Sequence, residues 1–321
     1  MLSHSAMTEA ATPRATLKHV AVVLPCLNEA GTVAAVVADF KASLPGARIY
    51  VIDNGSVDGT DTMAKLAGAH VIIEKQRGKG NAVRRAFAAI EAEIYVVVDG
   101  DGTYDAAQAP RLIEMLQSER LDMVVGSRRK IAQDAYRTGH ELGNRLFNRL
   151  LKAFFGGTFE DVFSGYRILS RRFVNSFPAL SLGFEIETEM TVHALTLRMP
   201  VAEVACGYRA RAAGSQSKLK TYADGLRIAR SILLLLRQHR PLVYFGVICG
   251  AMSGISVALF YPIFMTYLAT GTVPRFPTLI VSVGLALVAA LMLTCGMILD
   301  ITTRTQLEIR RLIYLNVGRQ R

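Results

Sequence analysis

Two long stretches without a charged side chain constrain how the C-terminal part of this chain can fold. They occupy residues 242–269 and 277–299. A helix of about 20 apolar residues crosses the hydrocarbon core of a bilayer, so each stretch is long enough to span. Apolar runs of this length favour membrane spans over a pair of buried core helices. We therefore expect two transmembrane helices within residues 241–300, joined by a short turn over residues 270–276.

The charge distribution indicates a membrane surface, not a nucleic acid, as the partner of the basic side chains. The formal net charge is +11. Eight Lys and Arg against one acid lie in residues 209–240, and five Arg against one acid lie in residues 304–321, so these two segments hold the whole excess. Basic residues beside a span are attracted to anionic lipid and remain on the cytoplasmic side. We expect an anionic bilayer as a partner, no nucleic acid, and both termini in the cytoplasm.

The N-terminal residues and the cysteines carry little structural information. Residues 1–18 lack a continuous apolar segment, which predicts a disordered leader and no cleavable signal peptide. The four cysteines show no metal-ligand spacing, and the six histidines are scattered. We interpret the cysteines as reduced thiols of a protein that faces the cytoplasm, and histidine-based zinc or triad chemistry has little support.

Residues 19–130 alternate between strand and helix patterns. Apolar runs predict strands, and apolar residues at helical spacing predict helices. This order implies a mostly parallel sheet with helices on both faces, which we place in a catalytic domain over residues 19–220. It is Rossmann-like, but no G-x-G-x-x-G or Walker A sequence is present. The predicted strands are 20–24, 48–52, 70–73, 94–98 and 123–126, and the predicted helices are 32–44, 58–67, 80–92 and about 110–117.

Two basic amphipathic segments follow the alternating region. Residues 142–155 and 222–236 each combine an apolar face with flanking Arg or Lys, as helices at a membrane interface do. For the first, an ordinary helix that covers the sheet edge is an equal alternative. The second abuts the first span, so we assign residues 221–240 to a juxtamembrane interface helix. Residues 301–321 are then a basic cytoplasmic tail.

The tetrapeptide Asp99-Gly100-Asp101-Gly102 follows the predicted strand 94–98. A hard cation such as Mg²⁺ or Mn²⁺ takes one or two carboxylates together with substrate phosphates, and open α/β sheets bind ligands at strand carboxyl ends. Asp-Gly is also a strong hairpin signal. The tetrapeptide alone leaves a metal site and a hairpin turn as alternatives.

The other predicted strand ends favour the metal site. They present residues 25–29, 53–60 and 77–81. These segments offer carboxylates for base and ribose donors, and Lys79 and glycine amides for phosphate. Together with Asp99 and Asp101 they predict a nucleotide-sugar site with a divalent metal.

With these motifs the chain resembles a family 2 glycosyltransferase of the GT-A fold. Within that family it is similar to the polyprenyl-phosphate glycosyltransferases, which include dolichol-phosphate mannose synthase and bacterial undecaprenyl-phosphate glucosyltransferases. The implied fold adds amphipathic interface helices and two C-terminal transmembrane helices to the sheet. The matching motifs are LPCLNE (24–29), IDNGSVDGT (52–60), RGKGNA (77–82), VVDGDG (97–102), VGSR (125–128), FEDVFSGYRILSRR (159–172) and GSQSKLKTYADGLRI (214–228).

The resemblance implies a role for each matching residue. Asp99 and Asp101 would bind the metal, and Asp161, Asp101 and Arg128 would be catalytic. One departure is that Gly102-Thr103 follows the D-x-D motif where dolichol-phosphate mannose synthases often supply a glutamine, so the sequence leaves a third protein ligand unassigned. The implied nucleotide-binding residues are Pro25, Asn28, Glu29, Asp53, Asp58, Lys79, Asp99 and Gly100, and the implied acceptor-phosphate residues are Arg128, Arg137, Arg209, Ser217 and Lys218.

The implied reaction is inverting transfer of one sugar from a nucleotide sugar to undecaprenyl or another polyprenyl phosphate. It would occur at the cytoplasmic face of a bacterial inner membrane, with UDP-glucose ahead of GDP-mannose and other UDP-sugars as donor. The acceptor phosphate has a second pKa of about 6 and is largely dianionic at neutral pH. We therefore hypothesise that Asp161 orients the acceptor or the sugar more than it removes a proton.

Two other functions fit the sequence less well. A processive polysaccharide synthase is disfavoured because the chain has no Trp for a Q-x-x-R-W motif, and two spans are too few for a polymer channel. A membrane-anchored, non-catalytic nucleotide-sugar binder is disfavoured because Asp99, Asp101, Lys79 and Asp161 are all present.

Two further features stay open at the level of sequence. Glu185, Glu187 and Glu189 contact the sugar or the acceptor loop, or form a solvated face. Small residues in both spans permit close helix packing, either between the two spans or between chains of a homo-oligomer.

Overall fold

The computed structural model describes residues 19–130, 159, 161–183, 185–208, 233–234 and 236–317. These residues belong to two compact units. A sheet unit is drawn from residues 1–132, 160–194 and 199–215, and a helical unit from residues 133–159, 195–198 and 216–321. The predicted site residues Arg137, Arg209, Ser217 and Lys218 lie outside the described residues, as do residues 1–18, the amphipathic segment 142–155 and most of 221–240.

A seven-stranded sheet organises the first unit, in the order β3-β2-β1-β4-β6-β5-β7. Strand β6 is antiparallel to both its neighbours, and every other pairing is parallel. The strands are β1 (Val20–Cys26), β2 (Arg48–Asp53), β3 (His70–Ile73), β4 (Ile94–Val97), β5 (Met123–Lys130), β6 (Arg167–Ser170) and β7 (Val201–Tyr208). The prediction of a mostly parallel sheet is confirmed.

The helices of this unit cover the sheet with short apolar faces. In α1 the side chains of Val33, Val36, Val37 and Phe40 are buried in the core, and the whole of β1 is buried, as expected for a central parallel strand. The helices are α1 (Val33–Ser43), α2 (Thr60–Leu66), α3 (Lys79–Ala89), α4 (Ala109–Ser118), α5 (Arg171–Ser176) and α6 (Ile186–Thr196).

The position of β4 excludes a hairpin at Asp99-Gly100-Asp101-Gly102. Strand β4 pairs with β1 on one side and with β6 on the other. The next strand along the chain, β5, follows helix α4 and is separated from β4 by β6. The hairpin alternative for this tetrapeptide is therefore wrong, and both aspartates lie beyond a strand carboxyl end.

The second unit contains two long apolar helices, α7 (Pro241–Thr270) and α8 (Phe276–Val317). Each is long and apolar enough to cross a membrane, and only 6% and 17% of their most apolar windows are buried, which suggests membrane association. They pack antiparallel, since Ser256 Oγ donates to the carbonyl of Ser282 (2.7 Å) and Gly296 lies against Phe245. Gly271 caps the C-terminus of α7 with a φ of +66°, which glycine adopts readily.

Helix α8 continues past the predicted end of the second span. With a rise of about 1.5 Å per residue its 42 residues extend about 63 Å, roughly twice the hydrocarbon thickness of about 30 Å. Charged side chains begin at Asp300, and no Gly or Pro interrupts the sequence from there to Val317. Much of the predicted basic tail is therefore a helical extension of the apolar stretch in α8.

Candidate active site

The predicted site segments meet because β2, β1 and β4 are parallel neighbours in the sheet. Cys26 at the end of β1 pairs with Asp53 at the end of β2, and Val23 pairs with Val97 near the end of β4. The loops that follow these strands therefore leave the same edge of the sheet, where open α/β folds bind ligands.

The loops after β1 and β2 are linked by reciprocal hydrogen bonds. The amide of Asn28 donates to Ser56 Oγ (3.0 Å), and the amide of Val57 donates to Asn28 Oδ1 (2.9 Å). Asn28 holds this position with a φ of +56°, a conformation that Asn adopts more readily than most residues. Asn28, which is predicted to bind the nucleoside, thus also fixes the relative position of the loops after β1 and β2.

Asp58 is a second link between these loops. Its carboxylate accepts from the amide of Ala30 (3.0 Å) and from the amide and hydroxyl of Thr60. Slight burial raises its pKa, but the hydrogen bonds from Thr60 and Ala30 outweigh this and lower the pKa below its ordinary value. Asp58 therefore remains an anion, and much of its acceptor capacity is used inside the protein.

Asp53 and Pro25 lie deeper at the same edge. Both are buried, and Asp53 Oδ1 accepts from the amide of Ser56 (3.3 Å). The next residue, Asn54, was not predicted as a site residue, but its amide side chain donates to the carbonyls of Glu74 and Gln76 and accepts from the amide of Gly78 (2.6 Å). Asn54 therefore positions the segment that carries Lys79.

The glycines beside Lys79 serve close backbone packing. A Cβ at Gly78 or Gly80 would overlap the carbonyls of Leu182 and Ser181 respectively. The amide of Gly80 donates to the carbonyls of Leu182 and Gly183 (both 3.1 Å). Because the amides of Gly78 and Gly80 are already bonded within the protein, the expectation that these glycine amides bind phosphate is not met.

Lys79 itself lies between two carboxylates. Its Nζ contacts Asp99 Oδ1 and Glu187 Oε1. Burial acts to lower the pKa of Lys79, but Asp99 and Glu187 outweigh it and raise the pKa above its ordinary value. Lys79 therefore remains protonated beside the D-x-D turn. The sequence left the role of Glu187 open. The structure places Glu187 in the first turn of α6, where it contacts Lys79, so it is part of the candidate site.

Asp99 and Asp101 differ in what holds them. Asp99 lies against the backbone of Gly165, whereas Asp101 Oδ1 accepts from the amide (3.1 Å) and the hydroxyl (2.6 Å) of the buried Thr103. Gly100 between them allows a close approach, since a Cβ there would overlap Glu29 and Cys26. Thr103 thus orients Asp101 through its hydroxyl and amide.

Glu29 lies beneath this turn. Burial raises the pKa of its carboxyl to about 8; a hydrogen bond from Cys26 opposes the shift, and the nearby Asp101 and Asp99 add to it. Its Oε2 is buried with no hydrogen-bond partner. Glu29 is therefore largely a neutral acid at neutral pH.

The carboxylates of Asp99 and Asp101 suit a hard divalent cation. Two carboxylates on one turn are what Mg²⁺ or Mn²⁺ takes when substrate phosphates and water complete its shell. Among the described residues no group of three or more His, Cys, Asp or Glu side chains is arranged to hold a metal ion. The residues present therefore fit a cation shared with a diphosphate, and do not form an all-protein cage.

Asp161 forms a bidentate pair with Arg128, which lies in the C-terminal half of β5. Arg128 Nε donates to Asp161 Oδ2 (2.8 Å), Nη2 donates to Oδ1 (2.7 Å), and the Arg128 amide adds a third bond (3.2 Å). Burial acts to raise the pKa of Asp161, but the hydrogen bonds and charge of Arg128 outweigh it and lower the pKa below its ordinary value. Asp161 is therefore a weak proton acceptor.

Neighbouring side chains hold this pair in place. The Arg128 guanidinium lies 5.8 Å from the ring centroid of Tyr208, within the range of a cation–π interaction. Glu203 Oε1 accepts from the amide of Asp161 (2.9 Å). The buried Arg167 donates to the carbonyls of Val162 (2.7 Å) and Ser164 (3.0 Å) and so fixes the segment after Asp161.

We predict that Gly165→Ala impairs the site without unfolding the protein. The added Cβ would lie 2.5 Å from Asp99 Oδ2 and 2.9 Å from Asp99 Cγ, so the Asp99 carboxylate must move. Gly31→Ala is the control, because a Cβ there meets nothing within 4 Å. We expect Mn²⁺ affinity and kcat/KM to fall by about tenfold or more for Gly165→Ala, since an error of about 1 Å at a catalytic group costs up to about 10². Equal effects of both variants would contradict the prediction.

The fold and the carboxylates at its strand ends define a glycosyltransferase of the GT-A class. A family model described as glycosyl transferase family 2 matches residues 21–177. Glycosyltransferase AglJ of Haloferax volcanii is 36% identical over 245 residues, which cover 75% of this chain and 80% of the relative. The chain belongs to glycosyltransferase family 2, and it is an enzyme of the hexosyltransferase type. The resemblance stated from the motifs is confirmed.

Two further comparisons bear on the site. The dolichyl-phosphate hexose transferase of Haloferax volcanii is 28% identical over 225 residues, which cover 70% of this chain and 97% of that protein. Glucosyl-3-phosphoglycerate synthase from Mycobacterium tuberculosis, solved with Mn²⁺, UDP and glucosyl-3-phosphoglycerate, has a TM-score of 0.56 and 25% identity, covering 70% of this chain and 85% of that one. Of these two proteins, the structural neighbour was solved with a divalent metal bound. The roles of the individual site residues stay predictions.

Proposed function

We propose that this chain transfers a single sugar, with inversion, from a nucleotide sugar to undecaprenyl or another polyprenyl phosphate. UDP-glucose is the favoured donor, and GDP-mannose or another UDP-sugar is the alternative. The observation that carries the proposal is that one chain joins a GT-A sheet unit to two apolar helices of membrane-spanning length. An enzyme with such an anchor works where a lipid acceptor resides. The name of the dolichyl-phosphate relative and the UDP bound in the structural neighbour support this choice.

The proposed topology is a multi-pass protein of a bacterial inner membrane with its catalytic unit and both termini in the cytoplasm. The basic flanks at residues 209–240 and 304–321 support this orientation. The turn between α7 and α8, which carries one Arg, would lie outside. Nucleotide sugars would then reach the site from the cytoplasm.

The donor would lie along the rim formed by the loops after β1, β2 and β4. Asn28, Asp53 and Asp58 would line the nucleoside side, and Lys79 would face the diphosphate. Asp99 and Asp101 would hold the cation, which when bound stabilises the negative charge of the departing nucleoside diphosphate. The proposed acceptor-phosphate ligands are Arg128 and, outside the described residues, Arg137, Arg209, Ser217 and Lys218.

The acceptor needs no general base in this scheme. Its phosphate is largely dianionic above a pKa of about 6, so an oxygen is already a competent nucleophile. Arg128 would lessen the repulsion between the acceptor phosphate and the donor diphosphate, and Asp161 would orient the Arg128 guanidinium. In-line attack on the anomeric carbon would break its bond to the diphosphate oxygen and invert its configuration.

A donor screen with one lipid acceptor tests the function. Full-length protein in detergent is incubated with undecaprenyl phosphate and, in turn, radiolabelled UDP-glucose, GDP-mannose and other UDP-sugars. We expect a single lipid-linked sugar, formed fastest from UDP-glucose, and none with unphosphorylated polyprenol as the matched control. Absence of a lipid-linked sugar with every donor would refute the transferase, and a polymeric product would favour the processive synthase.

A further inference from the structure

Lys79 connects the predicted metal ligand Asp99 to a second carboxylate, that of Glu187. Lys79 Nζ contacts one oxygen of Asp99 and one oxygen of Glu187, and its side chain is only 10% exposed. Little solvent reaches this ammonium, and both carboxylates contribute to balancing its charge. Lys79 is therefore shared between a predicted metal ligand and a residue that the D-x-D motif does not include.

The carboxylates of Asp99 and Glu187 differ in the surroundings of the oxygen that does not contact Lys79. Glu187 Oε2 is buried and has no hydrogen-bond partner, and the Glu187 side chain is 6% exposed. Asp99 Oδ2 lies against Gly165, and Asp99 Oδ1 contacts Lys79. A cation bound by Asp99 would therefore meet Lys79 at Oδ1, whereas the second oxygen of Glu187 has no hydrogen-bond partner.

We propose that Lys79 competes with the divalent cation for Asp99, and that Glu187 is the positioning residue that draws Lys79 away when the cation binds. This inference rests on the proposed metal site at Asp99 and Asp101. Two cations at one carboxylate repel each other, so cation binding favours the arrangement in which Lys79 pairs with Glu187. A nucleoside diphosphate would attract the same ammonium, so metal and donor would bind cooperatively through Lys79.

Mn²⁺ binding in the absence of nucleotide tests the competition directly. Free Mn²⁺ is measured by electron paramagnetic resonance with full-length protein in detergent. We expect Lys79→Met to tighten Mn²⁺ binding by at least about tenfold, since an ammonium at this range lowers the proton affinity of a carboxylate by about one to three pKa units. We expect Glu187→Gln to weaken binding, because the variant loses the carboxylate that competes with Asp99 for Lys79.

A double-mutant cycle separates positioning from a general charge effect. If Glu187 acts through Lys79, Glu187→Gln has no effect on Mn²⁺ affinity when added to Lys79→Met. If Glu187 acts only by its charge, it weakens binding equally in both backgrounds, and that result overturns the proposal. If Lys79→Met alone folds poorly, the double variant, which lacks both buried charges, is compared with the wild type: tighter Mn²⁺ binding supports the competition, and equal or weaker binding overturns it.

Two controls keep the outcomes distinct. Lys65→Met removes one positive charge at an exposed position paired with Asp61, and we expect unchanged Mn²⁺ affinity. Asp101→Asn added to Lys79→Met should abolish Mn²⁺ binding; retained binding would refute the metal site itself. Binding that depends on Asp101 but is not tightened by Lys79→Met would overturn this inference and leave the proposed function in place.

Discussion

Asp101→Asn is expected to lower kcat/KM for the sugar donor by about 10³-fold. A metal ion that stabilises a leaving diphosphate contributes several kcal/mol, and about 1.4 kcal/mol corresponds to each tenfold in rate. The substituted amide keeps an oxygen that accepts from the amide and hydroxyl of Thr103, so the turn should retain its shape. The loss would then reflect the missing negative charge at the cation site. Steady-state kinetics with saturating lipid acceptor and varied Mn²⁺ measures it.

Asp105→Asn is the matched control for this variant. Asp105 lies in the same segment, and its side chain accepts from the amide of Ala107 at the start of a short 3₁₀ helix. An asparagine retains that bond and removes the same formal charge. We expect activity close to wild type and an unchanged Mn²⁺ requirement. Activity of Asp101→Asn within about tenfold of wild type, well short of the several kcal/mol that a metal contributes, would place the cation elsewhere.

The sequence predicted those site residues that lie at the end of a β-strand or shortly after it. Apolar runs locate the strands β1, β2 and β4, and parallel neighbours bring their carboxyl ends together. Asn28, Asp53, Asp99 and Asp101 could therefore be assigned to one edge before the fold was known. The hairpin alternative at Asp99 could be excluded only from strand order, because a local Asp-Gly signal carries no information about which strand lies alongside.

The residues that the sequence did not assign depend on tertiary contacts. Glu187 meets Lys79 across more than a hundred residues of sequence, and its period relative to Glu185 and Glu189 fits a strand or a helix. Asn54 is one residue from a predicted ligand, yet its function is to hold the segment before Lys79. The inserted antiparallel strand β6 places Gly165 against Asp99. None of these relations has a short-range pattern.

Asp161→Asn is expected to lower kcat/KM by about 10²-fold or more at every pH. The variant loses the bidentate partner that aligns Arg128, and removal of one preorganised group that stabilises transition-state charge costs about 10²–10³. The matched control is Arg172→Lys, which disturbs a similar Arg–Asp pair with the buried Asp122 elsewhere in the sheet unit. We expect that control to lower stability and to leave kcat close to wild type.

The pH profile of the Asp161 variant separates orientation from proton abstraction. Arg128 holds the pKa of Asp161 below its ordinary value, so the stability from this pair is present above the unfolded pKa of about 3.9 and is lost as the pH falls through the lower folded pKa. The acid limb of activity should instead follow the acceptor phosphate, at about pH 6. An orienting Asp161 predicts the same limb in Asp161→Asn with a lower plateau. If Asp161→Asn lost activity only below about pH 6 and was fully active above it, Asp161 would be the proton acceptor and the orienting role would be wrong.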